Sequence, residues 1–387
     1  MKSIYLDANA TTPLCDAAWE AMKPAWVDHY GNPASAHHLG RRARQLLESA
    51  REQIAADLDA DPEEVIFTSG ATEANNLALF GQLGQDNAGT VIAAPIEHPC
   101  VLEPLQQLAR QGLRIDWLPV TATGFVEHSA VMARCTEQTR LITLMLANHE
   151  TGAIQPVRHV AKTRPGSIAI HCDAAQAVGK IPVRFHDLGV TSLSVSAHKF
   201  AGPKGIGLLL LRRGWRLQPR FFGGHQQQGF RPGTEAVALA LGLAAALRTA
   251  CQNLEQTRIR LVEMSRRLFT QLQARAAPVL LNGPDLDSTQ RLPGTLNLSF
   301  PGCRSDLLLV RLDLAGVACS AGAACSSGSF LPSPGLRAMG LAEERLNSAL
   351  RFSLGPQLSP AEIDEAAERI CQCVLALRAA RGASSQA

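Results

Sequence analysis

Two apolar stretches, each running into a charged residue, constrain this chain more than any other feature. The first, Ile168-Ala169-Ile170-His171-Cys172, ends at Asp173, and the second, Ser192-Leu193-Ser194-Val195-Ser196, leads through Ala197-His198 to Lys199. Both read as strands, and both belong to a longer alternation. Strand signals fall at 64–68, 90–95, 114–119 and 140–147, and helical ones at 41–58, 101–111 and 157–163. In 41–58, for example, Leu46, Ala50, Ile54 and Leu58 form a helical stripe. The alternation predicts an α/β fold with a mainly parallel sheet covered on both faces. Parallel strands bring their carboxyl ends to one edge, where ligands bind in such folds.

An acid and a lysine delivered to that edge fit the chemistry of pyridoxal phosphate. The lysine would bond to the aldehyde carbon, and the acid would keep the pyridine nitrogen protonated. An Asp–Lys ion pair at strand ends accounts for the same two residues. A second signal lies upstream, where the 64–68 strand meets Ser69-Gly70-Ala71-Thr72-Glu73. Strand, glycine turn and helix in that order make an anion seat, because free amides of the first helical turn point at the ligand. Many α/β proteins carry such a turn with nothing bound to it.

At 387 residues the chain is too long for one small core, so two domains are expected. A large domain over 13–255 would hold the sheet. Residues 1–12 and 256–380 would form a smaller α+β domain, and 381–387 a frayed tail. One helical pattern, 235–277, would join them, and 295–300 alternates as a half-buried strand does. The last helix should open at Ser359-Pro360-Ala361-Glu362, a capping box with proline at the first helical position. Its stripe is Ile363, Ile370, Val374 and Leu377.

A net charge of +3 without basic runs argues against nucleic acid as a partner. The opening residues lack the apolar core of a signal peptide, and no apolar run is long enough to span a bilayer, so a cytoplasmic protein away from membranes is expected. The ten cysteines contain no C-x-x-C, and Cys371 and Cys373 point apart on one helix, so neither disulfides nor a metal site are expected.

Further motifs appear in order: Tyr5-Leu6-Asp7, Gly31-Asn32-Pro33-Ala34-Ser35, Thr68-Ser69-Gly70-Ala71-Thr72-Glu73, and Ser196-Ala197-His198-Lys199 followed by Gly202-Pro203-Lys204-Gly205. Near the end come Ser320-Ala321-Gly322-Ala323-Ala324-Cys325-Ser326-Ser327-Gly328 and Arg351-Phe352-Ser353-Leu354-Gly355. Together they resemble the cysteine desulfurases, pyridoxal phosphate enzymes of the class V aminotransferase fold. The resemblance covers nearly the whole chain. It implies an aspartate aminotransferase-like architecture, a seven-stranded sheet plus a smaller α+β domain.

The resemblance also implies roles. Lys199 corresponds to the lysine that carries the cofactor and moves the substrate's α-proton, and Asp173 to the partner of the pyridine nitrogen. His98 matches the histidine stacked on the ring, and Gln176 the partner of its phenolic oxygen. Ala71, Thr72, Ser196 and His198 match the phosphate cup. Thr234 matches a phosphate ligand from the neighbouring subunit, so a homodimer is implied. Asn32 and Arg351 match the clamp on the substrate carboxylate, for which a planar guanidinium is well suited. Cys325 matches the sulfur-accepting nucleophile; Cys319, in a β-like run, reads as an ordinary buried thiol.

Two positions depart from the family pattern. Asn148-His149-Glu150-Thr151-Gly152 has a histidine where a second asparagine is usual, so His149 is expected to meet the phenolic oxygen. Gln227 stands where glutamate is usual. The implied reaction converts L-cysteine to L-alanine and passes sulfur, as a persulfide on Cys325, to an acceptor protein. Iron–sulfur scaffold, tRNA thiolation and DNA sulfur modification are all open as destinations. The rivals are a selenocysteine lyase, a related class V aminotransferase, and a sulfur-assembly scaffold in which the cofactor only stabilises the fold.

Overall fold

The computed structural model describes residues 2–83, 88–166, 168–321 and 333–384. Its strands are β1 (Ile4–Tyr5), β2 (Val65–Thr68), β3 (Thr90–Ala93), β4 (Arg114–Trp117), β5 (Thr139–Thr143) and β6 (Ala169–Asp173). There follow β7 (Ser192–Ser196), β8 (Gly207–Leu211), β9 (Leu280–Asn282), β10 (Thr295–Ser299), β11 (Val317–Ala318) and β12 (Ala349–Ser353). A seven-stranded sheet has the order β2-β8-β7-β6-β5-β3-β4. The pairs from β4 through β3, β5 and β6 to β7 are parallel, as the alternation predicts. Only β8 runs against its neighbours. The loop from β7 to β8 is too short for the helical crossover that a parallel partner requires.

Alternate residues of these strands serve opposite faces of the sheet. Ile92, Ile142 and Ile170 join a core with the helices Asp16–Val27, His38–Leu58 and Val237–Gln252. Val91, Ala93, Leu141 and Ala169 face the other way, against the helices Ala71–Leu83 and Pro99–Arg110. Both faces are therefore apolar. The pairing His171↔Ser192 and Asp173↔Ser194 brings the ends of β6 and β7 to the same edge.

A separate core lies around the three-stranded antiparallel sheet β12-β10-β9. Leu296, Leu298, Leu350 and Phe352 pack there against Leu268 and Leu272 of Leu254–Ala276 and Ile363 and Ile370 of Pro360–Ser384. Ile4 and Leu6 belong to this core, and β1 pairs in parallel with β11. From there the chain crosses to the large sheet, where both Thr12 N–H and Thr12 Oγ1 donate to the His198 carbonyl, at 3.0 and 2.8 Å.

Three expectations need correction. The single helical pattern over 235–277 is two helices, Val237–Gln252 and Leu254–Ala276, bent by 70°. Asn253 ends the first: its backbone N–H and its side-chain amide both donate to the Thr249 carbonyl. The first helix then packs on the large core and the second on the small one. Strand β10 is buried on both faces, not half-buried, and Asn282 Nδ2 donates to two groups of its polar side, Asn297 Oδ1 at 2.8 Å and Ser299 Oγ at 2.7 Å. The last helix, opened by the reciprocal Ser359–Glu362 capping box, continues to Ser384, past the expected start of fraying. Among the described residues no single helix is long and apolar enough to cross a membrane.

Candidate active site

The edge where β6 and β7 end opens into a cavity of about 490 Å³. Strand β6 delivers Asp173 to it and β7 delivers Ser196, after which a 3-10 turn over Ala197–Lys199 sets His198 and Lys199 on the wall. Strand β2 hands over to the helix Ala71–Leu83 through Ser69-Gly70, so the first amides of that helix border the same space. Strand β8 passes under this turn so closely that a Cβ on Gly207 would lie 2.6 Å from Gly70 Cα and 2.4 Å from the Val195 carbonyl. Only glycine fits there. His98, His149 and Gln176 complete the wall, so the structure brings together Ala71, Thr72, His98, His149, Asp173, Gln176, Ser196, His198 and Lys199.

Asp173 is held by neutral donors. Its Oδ1 accepts from the Ala175 N–H at 2.9 Å and its Oδ2 from Asn75 Nδ2 at 2.8 Å. Asn75 Oδ1 in turn accepts from His171 Nε2 at 2.8 Å, and His171 Nδ1 lies 2.9 Å from Ser192 Oγ, which accepts from Gln82 Nε2 at 2.5 Å. His171 is buried, and burial lowers its pKa to about 4, so it stays a neutral link in this chain. No motif in the sequence assigns a role to Asn75 or His171. The only available signal was polar residues on an inward face of Ala71–Leu83 and β6.

Lys199 Nζ donates to the carbonyls of Asn9, at 2.6 Å, and Ala10, at 3.0 Å. Gln176 Nε2 donates to the same Asn9 carbonyl at 2.9 Å. The N-terminal segment thus reaches the catalytic edge, which no motif announces.

His98 caps the helix Pro99–Arg110, its Nδ1 accepting from the Cys100 N–H at 3.1 Å. That bond leaves the ring proton on Nε2. Burial lowers its pKa, against the raising influence of Asp173. His149 meets it edge-on, with ring centroids 5.2 Å apart. Burial pushes the His149 pKa well down, helped by His98, Arg351 and Lys199, and its buried Nδ1 has no hydrogen-bond partner among the described residues. Nearby, burial and Asp173 raise Glu97, whose Oε1 accepts from the Met145 N–H at 2.6 Å.

Arg351, on β12, is 3% exposed and reaches towards the cavity from the small core. Its guanidinium donates to Asp7 Oδ1 at 2.8 Å and to the His149 carbonyl at 3.2 Å, and its buried Nε has no partner among the described residues. Asn32 is not brought to this cavity: it sits exposed in its turn, with Oδ1 accepting from the Ala34 N–H at 2.9 Å. Thr234 lines a second cavity with Glu73 and Arg231, and Arg231 pairs at 2.8 Å with Glu73, which lies in the first turn of the anion-seat helix and borders both cavities. Gln227 is buried and replaces the usual glutamate with a neutral bridge, accepting from the Phe67 N–H at 2.9 Å and donating to Glu235. Cys325 lies outside the described residues. Cys319 is a partly buried thiol whose pKa burial raises.

The class-V aminotransferase family profile matches residues 4–365, and the chain belongs to that family. A cysteine desulfurase IscS of Dictyoglomus turgidum is 40% identical over 92% of this chain and 90% of its own length. A solved NifS-like protein superposes with a TM-score of 0.89 at 34% identity, over 96% of this chain and 98% of that one. Another solved structure, SspA in complex with cysteine, gives a TM-score of 0.79 at 32% identity, covering 91% of this chain and 99% of that one. Within its family the chain is therefore of the cysteine desulfurase type, a pyridoxal phosphate enzyme. The residues fit that cofactor. A helix N-terminus with Ser196 and His198 suits the phosphate, Asp173 the pyridine nitrogen, and Lys199 the aldehyde carbon, while His149 Nδ1 is buried at the cavity wall without a partner among the described residues.

Proposed function

We propose that the protein is a cysteine desulfurase that takes L-cysteine, releases L-alanine and carries the sulfur as a persulfide on Cys325. The observation that supports this most is Lys199 and Asp173 on one cavity, with a buried arginine fork at Arg351 approaching from the small core. Bound there, pyridoxal phosphate supplies an aldehyde carbon that takes up amines and a ring that draws electron density from the α-carbon. Asp173 keeps a proton on the ring nitrogen, and neutral donors leave its charge uncancelled. Arg351, with Asn32 as the family's second carboxylate contact, binds and orients the substrate carboxylate. Lys199 Nζ takes the α-proton and returns it. His98, neutral with its proton on Nε2, packs on the ring. The Cys325 thiolate attacks the substrate sulfur; a sulfur–sulfur bond forms, the carbon–sulfur bond breaks, and its electron pair stays with carbon, which gains a proton to become the alanine methyl group.

The same reading assigns Thr234 to the phosphate of the neighbouring subunit in a homodimer, and the sulfur to an acceptor protein such as an iron–sulfur scaffold in the cytoplasm. The test is incubation of pure protein with L-cysteine or L-selenocysteine. Alanine with sulfide, and an added sulfur on Cys325 by mass spectrometry, is the expected result. Alanine formed only from selenocysteine, or none from either substrate, would overturn it.

A further inference from the structure

Lys180 carries no role in the reaction described above, yet its amine lies within hydrogen-bond distance of two groups that shape the cavity. It follows β6 in the turn Ala174-Ala175-Gln176-Ala177-Val178-Gly179. Its Nζ donates to Gln176 Oε1 at 2.7 Å and to Asn9 Oδ1 at 2.9 Å. Among the described residues no carboxylate lies within ion-pair distance of this amine. Burial, then Lys199 and Arg351, push its pKa well below the ordinary lysine value. A desolvated amine without a counter-ion is costly to keep, so its geometry needs an explanation.

The two acceptors supply one. A carboxamide can present either its oxygen or its –NH2 to a ligand, and its partners decide which. The Lys180 amine has only donors to offer, so it takes Gln176 Oε1, and the –NH2 turns towards the Asn9 carbonyl at 2.9 Å. That carbonyl also accepts from Lys199 Nζ, at 2.6 Å. Asn9 is itself fixed, its Nδ2 donating to Thr295 Oγ1 at 3.0 Å and the His149 carbonyl at 3.2 Å, and its N–H to Ser353 Oγ at 2.9 Å.

We propose that Lys180 is a positioning residue: by holding Gln176 Oε1 and Asn9 Oδ1 it fixes the Gln176 –NH2 as the end offered to an oxygen of the cofactor ring, and keeps the Asn9 carbonyl under Lys199. The proposal rests on the cofactor reading above. In its absence only the Asn9 carbonyl orients the Gln176 amide, and any turned-over fraction exchanges a donor towards an anionic ring oxygen for an acceptor.

The test uses apoprotein of the wild type, Lys180→Met, Lys180→Arg, Gln176→Ala and the Lys180→Met/Gln176→Ala double variant. Each is titrated with pyridoxal phosphate, following the yellow band and its wavelength, and then assayed for alanine release. One hydrogen bond to a charged group corresponds to about a tenfold change. Lys180→Met and Gln176→Ala should each weaken cofactor binding about tenfold and shift the band in the same direction. The double variant should be no worse than either single one, because both act through one contact. Lys180→Arg, which keeps a cationic donor, should retain the wild-type band. If Lys180→Met fails to fold, Lys180→Leu, which also lacks a donor, replaces it with the same expected shift. A yellow wild type beside a Lys180→Met or Lys180→Leu protein of unchanged band and affinity, or additive losses in the double variant, overturns the proposal alone. A wild type that forms no yellow complex overturns the cofactor reading and this proposal with it.

Discussion

Asp173 and Arg351 both carry charge into the site, and they are held in different ways. Asp173 sits at the end of β6 and accepts from an amide side chain and a backbone N–H, neither of them charged. Arg351 sits on β12 and is paired with the carboxylate of Asp7. Neutral donors fix the direction of a carboxylate and leave its charge available, which suits a partner that must stay cationic, such as a pyridinium. An opposite charge makes a buried guanidinium tolerable, while a fork with five N–H groups still has donors left for an anion. The cofactor end is thus built to keep a charge exposed to its ligand, and the substrate end to keep one folded away until a ligand arrives.

This contrast breaks if the two ends respond alike. Asp173→Ala should lower cofactor affinity and kcat/KM by about 10³-fold, on the scale of removing a preorganised electrostatic contact. Arg351→Ala should raise KM for L-cysteine by about 10²-fold, from two charge-assisted bonds of roughly 1.5 kcal/mol each. It should leave cofactor binding nearly unchanged. Loss of the yellow band in Arg351→Ala would show that the ends are not separate.

The next effect concerns stability. Asp7→Ala strands a buried guanidinium and should cost about 3 kcal/mol in denaturant unfolding of the apoprotein. Asn75→Ala removes the bonds of a neutral amide to Asp173 and His171 and should cost about 1–2 kcal/mol, with a loss of cofactor affinity that Asp7→Ala lacks. Equal costs would count against the electrostatic distinction.

The smallest effect is a slope with pH. The unfolded chain protonates His171 near 6.5, and the folded chain only near 4. Stability that this group contributes above 6.5 is therefore lost as pH falls through that window, at up to about 1.4 kcal/mol per pH unit. Glu97 acts in the opposite sense, because its raised pKa removes stability as pH rises above 4.5. Comparing wild type with His171→Gln isolates the first contribution: the stability difference between them should shift against the wild type as pH falls from 6.5 to 4. A wild type and variant with parallel curves would remove His171 from the neutral chain.

Much of this contrast was legible in the sequence, but unevenly. Asp173 and Lys199 stood out because strand periodicity and a terminal charge are local signals. The turn at Ser69-Gly70 was legible for the same reason. The chain from Gln82 to Asp173 was not, since Asn75 meets His171 across 96 residues and Gln82 meets Ser192 across 110. Each of these polar residues alone looks like a residue on an ordinary helix or strand. Lys180 was invisible on similar grounds: a lysine after a glycine turn reads as a surface cation until Asn9 is brought beside it. The break at Asn253 escaped notice because helical periodicity continues through it, and only the change of core from one side of the bend to the other sets the angle. Asn32 and Thr234 were drawn from resemblance alone, and a single chain gives neither of them a position on the cavity.

The Asn9 crossroads has a consequence for how the protein is made. Its carbonyl seats Lys199, while its N–H waits for Ser353, 344 positions later in the chain. Ribosomes add about 5–20 residues per second, so on the order of 20–70 s separates the synthesis of these partners. The sheet with Asp173 and Lys199 is complete long before that. A nascent chain therefore holds both chemical groups of the cofactor site on a finished edge, with the segment that aligns them still untethered. A chain truncated before Ser353 would present a lysine and an acid without the tether that Ser353 gives to Asn9.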